Sequence, residues 1–280
     1  MALNGEWFTE IDPEGGTAVS ARLVGALFTD MSREPEIQIL QSQACGRLLV
    51  LDGQLVLAES DGFIYHEMLV HPALYSHPAP HSVALLGGEH GGALRELVKH
   101  EELERIVVVG TDRRVQQACA AHFPGLDAAG HDPRVRYASG AAEAWLDAAA
   151  PGSLDVILVD SPRAIDTTPS LFERATRVLG EQGLLIQASG SPLFDAARPI
   201  RAMHDAMRAA GFLDVLTLHF PQALYPGGWW TLTTACKDMP IMFSREEDAE
   251  HPGFETRYYN AAMHRTSTAT PQFLHACLMG

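Results

Sequence analysis

The chain has 280 residues, 46% of them apolar, and its 35 acidic against 20 basic side chains leave a formal net charge of −15. That charge repels nucleic acid and anionic membrane, and no apolar run reaches the length of a membrane-spanning helix. The length suits one large α/β domain, alone or with a smaller companion.

In chain order, the first residues carry neither the basic stretch nor the apolar core of a secretory leader, which predicts a cytoplasmic protein. From Trp7 to about Asp61 the pattern predicts short strands. Glu36–Gln41 alternates, and Arg47–Leu51 and Gln54–Leu57 flank Asp52-Gly53, a strong hairpin signal. Residues 1–61 therefore read as a small antiparallel β domain, and 62–280 as the main domain. Asp61–Pro72 is helical in pattern and is predicted to stop near its proline. Ser76–His81 reads as a loop.

From Ser82 strands and helices alternate. Strands are predicted at Val83–Leu86, Ile106–Val109, Val135–Tyr137, Val156–Val159 and Leu184–Gln187, with a later pair at Asp214–Phe220 and Trp229–Thr234. Helices are predicted at Ala93–Lys99, Arg114–His122, Ala141–Ala148, Leu171–Leu179 and Arg198–Ala210. This is an α/β pattern: a doubly wound, mostly parallel, Rossmann-like sheet that binds ligands at the strands' C-terminal ends. The tail reads as a charged loop, Ser244–Asp248, and then a terminal helix that includes Tyr258-Tyr259-Asn260.

Three features carry chemistry or exclude it. Gly87-Gly88-Glu89-His90-Gly91-Gly92 breaks the first of these strands just before a helix, where backbone can approach a ligand. Asp160 ends an apolar strand, the place for a catalytic group, although a carboxylate there also serves as a turn cap. His66 and His71 are one residue too far apart for His-Glu-x-x-His, and Cys45, Cys119, Cys236 and Cys277 form no Cys-x-x-Cys pair. No metal site is therefore predicted, and the cysteines read as reduced thiols.

The motifs together resemble the spermidine synthases and the wider polyamine aminopropyltransferase family. They are Trp7-Phe8-Thr9-Glu10, Leu51-Asp52-Gly53, Tyr65-His66-Glu67, His77-Pro78, the glycine turn, Leu94-Arg95-Glu96, Asp132-Pro133-Arg134-Val135, Asp160-Ser161, Leu171-Phe172, Tyr225-Pro226 and Tyr258-Tyr259-Asn260. The resemblance spans nearly the whole chain. It implies a methyltransferase-type Rossmann-like fold behind the N-terminal β domain, and a homodimer or tetramer. It also implies transfer of an aminopropyl group from decarboxylated S-adenosylmethionine, as co-substrate and with no prosthetic group, to putrescine or a related amine. Such a site needs carboxylates for the donor's amine and ribose and for deprotonating the attacking nitrogen. Residue by residue, the resemblance makes Asp160 the general base. Tyr65 and His66 orient donor and acceptor, Tyr225 stands at the acceptor channel, and Gln187 ends a strand beside the donor. Gly87, Gly88, Glu89 and His90 form the donor turn.

Several family acids are replaced. His90 stands for the aspartate that grips the donor amine, Gly110 for the ribose acid, Ala141 for the adenine-contacting aspartate and Arg163 for the second aspartate after Asp160. Val56 replaces a glutamine. Each hydrogen bond to a charged group contributes roughly 1.5–3 kcal/mol, so the set amounts to about 5–10 kcal/mol. Glu89, Asp112 and Asp166 are the carboxylates placed to substitute. The expectation is a spermidine-synthase-like protein of polyamine metabolism with a degenerate donor pocket. Its alternatives are an inactive pseudoenzyme with a binding or regulatory role, and a transferase of altered specificity that holds an anionic ligand through His90 and Arg163.

Overall fold

The structure, a computed structural model, describes residues 6–13, 16–126, 128–161, 169–193 and 199–279. Five antiparallel strands come first, adjacent in chain order: β1 (Trp7–Asp12), β2 (Thr17–Asp30), β3 (Ile37–Ser42), β4 (Arg47–Leu51) and β5 (Gln54–Ala58). The β4–β5 hairpin turns at Asp52 and Gly53, whose φ values of 50° and 77° suit a type I′ turn. The long β2 is absent from the sequence reading. Its pairing with β3 shifts register between Leu23 and Gly25 and again between Ala26 and Phe28, which breaks the period-two pattern a strand otherwise prints.

Next comes α1 (Gly62–Ser76), buried continuously from Tyr65 to Ser76 as a central helix must be. It does not stop at Pro72. The proline removes one N–H from the helix ladder. The final turn persists because the C-terminal region satisfies its carbonyls: Arg245 N donates to Tyr75 O at 2.9 Å and Ser244 Oγ to Ser76 O at 2.8 Å.

The main sheet contains β6 (Ser82–Gly87), β7 (Arg105–Val109), β8 (Val135–Ala138), β9 (Leu154–Asp160), β10 (Leu179–Gly190), β11 (Asp214–Pro221) and β12 (Trp229–Cys236). Their order is β11-β12-β10-β9-β6-β7-β8. The run from β10 to β8 is parallel, and β12 is antiparallel to both of its neighbours. Strand order reverses between β6 and β9, which opens a crevice at their C-terminal ends.

Helix α2 (Gly92–Leu97) joins α1 on one face of this sheet, while α4 (Ala142–Ala148), α5 (Pro169–Val178) and α6 (Arg201–Ala209) cover the other. Between them in sequence, α3 (Arg113–His122) turns its apolar side, Val115, Ala118 and Cys119, onto Ile37, Ile39 and Leu49 of the first sheet. Burying a side chain such as Met68 or Leu85 contributes about 1.5–3 kcal/mol, so these faces hold the strands in place.

The tail departs from expectation. Part of the charged stretch is helical, α7 (Glu246–Glu250), followed by α8 (Ala261–Ser267) and α9 (Gln272–Met279). Tyr258 and Tyr259 precede α8, because their backbone N–H groups donate to the buried Glu67 carboxylate at 2.8 Å each. Asn260 caps α8 by accepting from Met263 N at 2.9 Å. No helix among the described residues is long and apolar enough to cross a membrane.

Candidate active site

The glycine turn and Asp160 are built as one unit. The end of β6 pairs Gly87 with Asp160 at the end of β9. A Cβ on Gly87 would sit 2.6 Å from the Asp160 carbonyl oxygen, and its φ of +83° independently demands glycine. Gly88 N donates to that same carbonyl at 3.2 Å. The Asp160 side chain is thereby held in the crevice, and the residue is 3% exposed. Neither of its carboxylate oxygens makes a hydrogen bond of ordinary length and angle; the His90 ring and the Tyr65 hydroxyl are the donors that approach it.

Three rings surround this carboxylate. His90 presents Nε2 to Asp160 Oδ2 at 3.5 Å, an ion-pair distance. Its Nδ1 accepts from Gly92 N at 3.3 Å, which fixes the ring's orientation. The His66 ring lies 4.9 Å from that of His90, centroid to centroid. It fits because residue 92 is glycine: a Cβ there would fall 2.0 Å from His66 Cε1. Tyr65 brings a buried hydroxyl toward Asp160 without a hydrogen bond of ordinary geometry, and its ring is 6.5 Å from Tyr225. Tyr225 itself donates from its hydroxyl to Val56 O at 3.0 Å and meets Trp230 edge to face.

Two connected lobes open beside His90 and Asp160, while Tyr65, His66 and Tyr225 line neither of them. A cavity of 740 Å³ is lined by Leu86, Gly110, Asp112, Ala141 and Leu171, and one of 330 Å³ by Gln54, Val56, Glu89, His90 and Asp160. Gly87, Gly110 and Ser161 line both, so the lobes form one cleft with Asp160 at the inner wall of the smaller. Of the carboxylates considered as substitutes, Glu89 reaches the small lobe beside His90. Asp112 lines the large lobe but is occupied elsewhere. One of its oxygens caps α3 by accepting from Arg114 N at 2.7 Å, and the other pairs with the Arg114 guanidinium at 3.0 Å. Gln187 is buried in β10, paired with Val159, and lines neither lobe. Arg163 and Asp166 lie outside the described residues.

One contributor was missed from sequence. Arg33 and Glu34, in the β2–β3 connection, line the rim of the large lobe. Arg114 straps them there, donating to Glu34 O at 3.0 Å and to Pro35 O at 3.2 Å, and pairing with Asp30 at 3.3 Å. The only local signal is an Asp-x-Arg at a helix start, and the contacts span some 80 residues of chain.

Burial raises the Asp160 carboxyl, but His90 beside it outweighs that and holds it below its ordinary value. Burial also opposes charge on His90, yet Asp160 and Glu89 lift it above its ordinary value. His66 behaves oppositely: burial, with His90 adding repulsion, pushes it down to about 3, so it is neutral. Burial raises Glu89, and burial with Asp160 nearby raises the Tyr65 hydroxyl well above its usual range. The cleft thus offers one ionised buried carboxylate, one imidazole able to carry charge and two neutral rings. It can take a proton from, or hold, a cationic group. No three His, Cys, Asp or Glu side chains are gathered for a metal among the described residues.

Residues 62–245 match the spermine/spermidine synthase domain, and residues 6–59 the spermidine synthase tetramerisation domain. A polyamine aminopropyltransferase of Thioalkalivibrio sulfidiphilus is 45% identical over 100% of both chains. That of Alkalilimnicola ehrlichii is 40% identical over 99% of each. Among solved structures, spermidine synthase from Thermotoga maritima superposes with a TM-score of 0.89 at 25% identity, covering 98% of this chain and 94% of that one. A spermidine synthase in complex with the transition-state analogue AdoDATO has the same fold, with a TM-score of 0.91 at 24% identity, covering 100% of this chain and 97% of that one.

Proposed function

This chain belongs to the spermine/spermidine synthase family of aminopropyltransferases, and from that premise we propose that it alkylates an amine at Asp160. The donor is decarboxylated S-adenosylmethionine and the acceptor is putrescine or a related amine. The nucleoside occupies the large lobe and the sulfonium tail points into the small one. The acceptor nitrogen bonds to the donor's propyl carbon as the carbon–sulfur bond breaks. Methylthioadenosine leaves, and the nitrogen's proton goes to Asp160. Tyr65 and His66 pack behind Asp160 and His90, with Tyr225 against Tyr65, and alignment supplies much of the acceleration. The observation that carries this reading is the buried, ionised Asp160 at the inner wall of the small lobe, which is continuous with a lobe of nucleoside size.

The large lobe has Gly110 and Ala141 where the family places acids, so donor affinity falls below the family's own and the donor KM rises. Glu89 is the carboxylate left to receive the donor's amine. The protein works in the cytoplasm as a homodimer or tetramer, assembled through the first sheet, where Ile11, Val24 and Leu27 are exposed.

Purified protein incubated with decarboxylated S-adenosylmethionine and putrescine is expected to yield spermidine and methylthioadenosine. Asp160→Asn should lower the rate by about 10²–10⁴. No product at millimolar donor, from protein that is folded, overturns the catalytic reading. A second reading, ligand binding without turnover, draws support from the His90–Asp160 pair, which occupies the base before any substrate arrives. Tight amine binding with no product would select it.

A further inference from the structure

His90 and Asp160 are both buried at the inner wall of the small lobe, at 2% and 3% exposure, and face each other at 3.5 Å. The ring cannot easily turn away. In the neutral ring Nδ1 accepts from Gly92 N; protonating Nδ1 gives that bond up, while His66 beside the ring and Asp160 at Nε2 keep it in place. Several charged or titratable groups face His90 from the elements around it. They are Asp160 on β9, Glu89 in its own turn, Arg95 on α2, the neutral His66 on α1, and Asp52 across the small lobe from the β4–β5 hairpin. Tyr137 of β8 closes the far side. Nearest among them is Asp160, the same carboxylate that a cationic ligand entering the small lobe must meet.

We propose that His90 is the titrating counter-ion of Asp160, and that a cationic amine binds in the small lobe by displacing the proton that His90 carries. With His90 charged, the pair is neutral and the pit offers an ammonium little attraction. With His90 neutral, Asp160 presents a full carboxylate to the incoming amine. Binding and proton release are then one event: the amine's charge replaces the imidazolium's beside Asp160, and the proton leaves to solvent. His90 acts through Asp160 and touches no reacting atom, so it is a positioning residue. The inference rests on the amine-binding reading above, extending it from which ligand binds to what the ligand displaces.

Two measurements test it, with putrescine as the probe. The first is a histidine Cε1–H NMR titration of wild type and Asp160→Asn without ligand. His90 is expected to titrate above its ordinary 6.5 in wild type and below it in the variant, where burial acts without the carboxylate. The second is calorimetry of putrescine binding in two buffers of different ionisation enthalpy. Below the His90 midpoint it should give close to one proton released per site. Kd should tighten about tenfold per pH unit up to that midpoint and then level off. His90→Asn should remove both the release and the slope. A wild-type midpoint at or below the ordinary value overturns the proposal, as does a midpoint unchanged by Asp160→Asn. Putrescine binding without proton release, or no binding at any pH, overturns it equally. Proton-linked binding with no aminopropylated product removes the catalytic reading and leaves this one standing. Product formed with pH-independent binding does the reverse.

Discussion

Gly92→Ala is the sharpest mechanical test of how the site is packed. The added Cβ would lie 2.0 Å from His66 Cε1 and 2.3 Å from both ring nitrogens, far inside contact distance. The ring is buried against the His90 ring, and its one open side is the small cavity it shares with Gly62, Phe63 and Arg95. Overpacking of this kind costs about 1–3 kcal/mol, and the better helix propensity of alanine offsets up to about 1 kcal/mol. The net loss, about 1–2 kcal/mol, corresponds to a Tm lower by about 2–3 °C for a chain of this size. The clash is with one ring only. In a His66→Ala background the same substitution should therefore be neutral or stabilising, giving a coupling of about 1–3 kcal/mol. Thermal and urea unfolding of wild type, both single variants and the double variant measure that coupling directly. Effects that add within about 0.5 kcal/mol would refute the argument, because they would place His66 away from Gly92.

Three further outcomes are expected. Burial raises Glu102, but His100 and Arg245 hold it at about 2, so its stabilisation is present above pH 4.5 and is lost as pH falls through about 2. Glu102→Gln should accordingly lower stability by about 1–2 kcal/mol near neutrality, after discounting for partial exposure, and the gap from wild type should narrow below pH 4.5 in urea unfolding. Glu67→Gln sets an amide N–H₂ against backbone donors and should cost about 2–4 kcal/mol, with amide exchange accelerating first at Tyr258 and Tyr259. Tyr225→Phe removes one hydrogen bond to Val56 O, so stability should change by only about 1 kcal/mol while the KM for the amine rises several-fold in steady-state assays.

The fold was largely legible because the buried parallel strands β6, β7 and β9 are short apolar runs bounded by turns, and Asp160 stands out at the end of one. What was not legible depends on distant partners. β2 hides behind its two bulges. The end of α1 and the path of Tyr258-Tyr259 are set by contacts spanning some 170 to 190 residues, through Ser244 and Glu67, which no local window contains. The site divides in the same way. Glycine-rich turn chemistry announces where a ligand binds. The pairing of His90 with Asp160, and the diversion of Asp112 into capping α3, appear only when side chains are placed.

This division explains how such a cleft can keep its shape while its charges change. Gly87 cannot vary without displacing Asp160, since any side chain there collides with that residue's backbone. The positions that line the large lobe are under no such common constraint, and they differ from one another. Ala141 sits at the N-cap of α4 in extended conformation with no side-chain cap, so an aspartate there would both face the lobe and satisfy a free helix donor, contributing about 1 kcal/mol. Gly110 has room for a Cβ, whose nearest neighbour would be 3.8 Å away, but its φ is +77°. An acid placed there would cost about 1–2 kcal/mol in backbone strain unless the turn after β7 changed course. The acid missing at 141 could thus return by a single substitution. At 110 an acid would carry that backbone strain, so on the reading proposed above the ribose is held more readily by other groups of the large lobe.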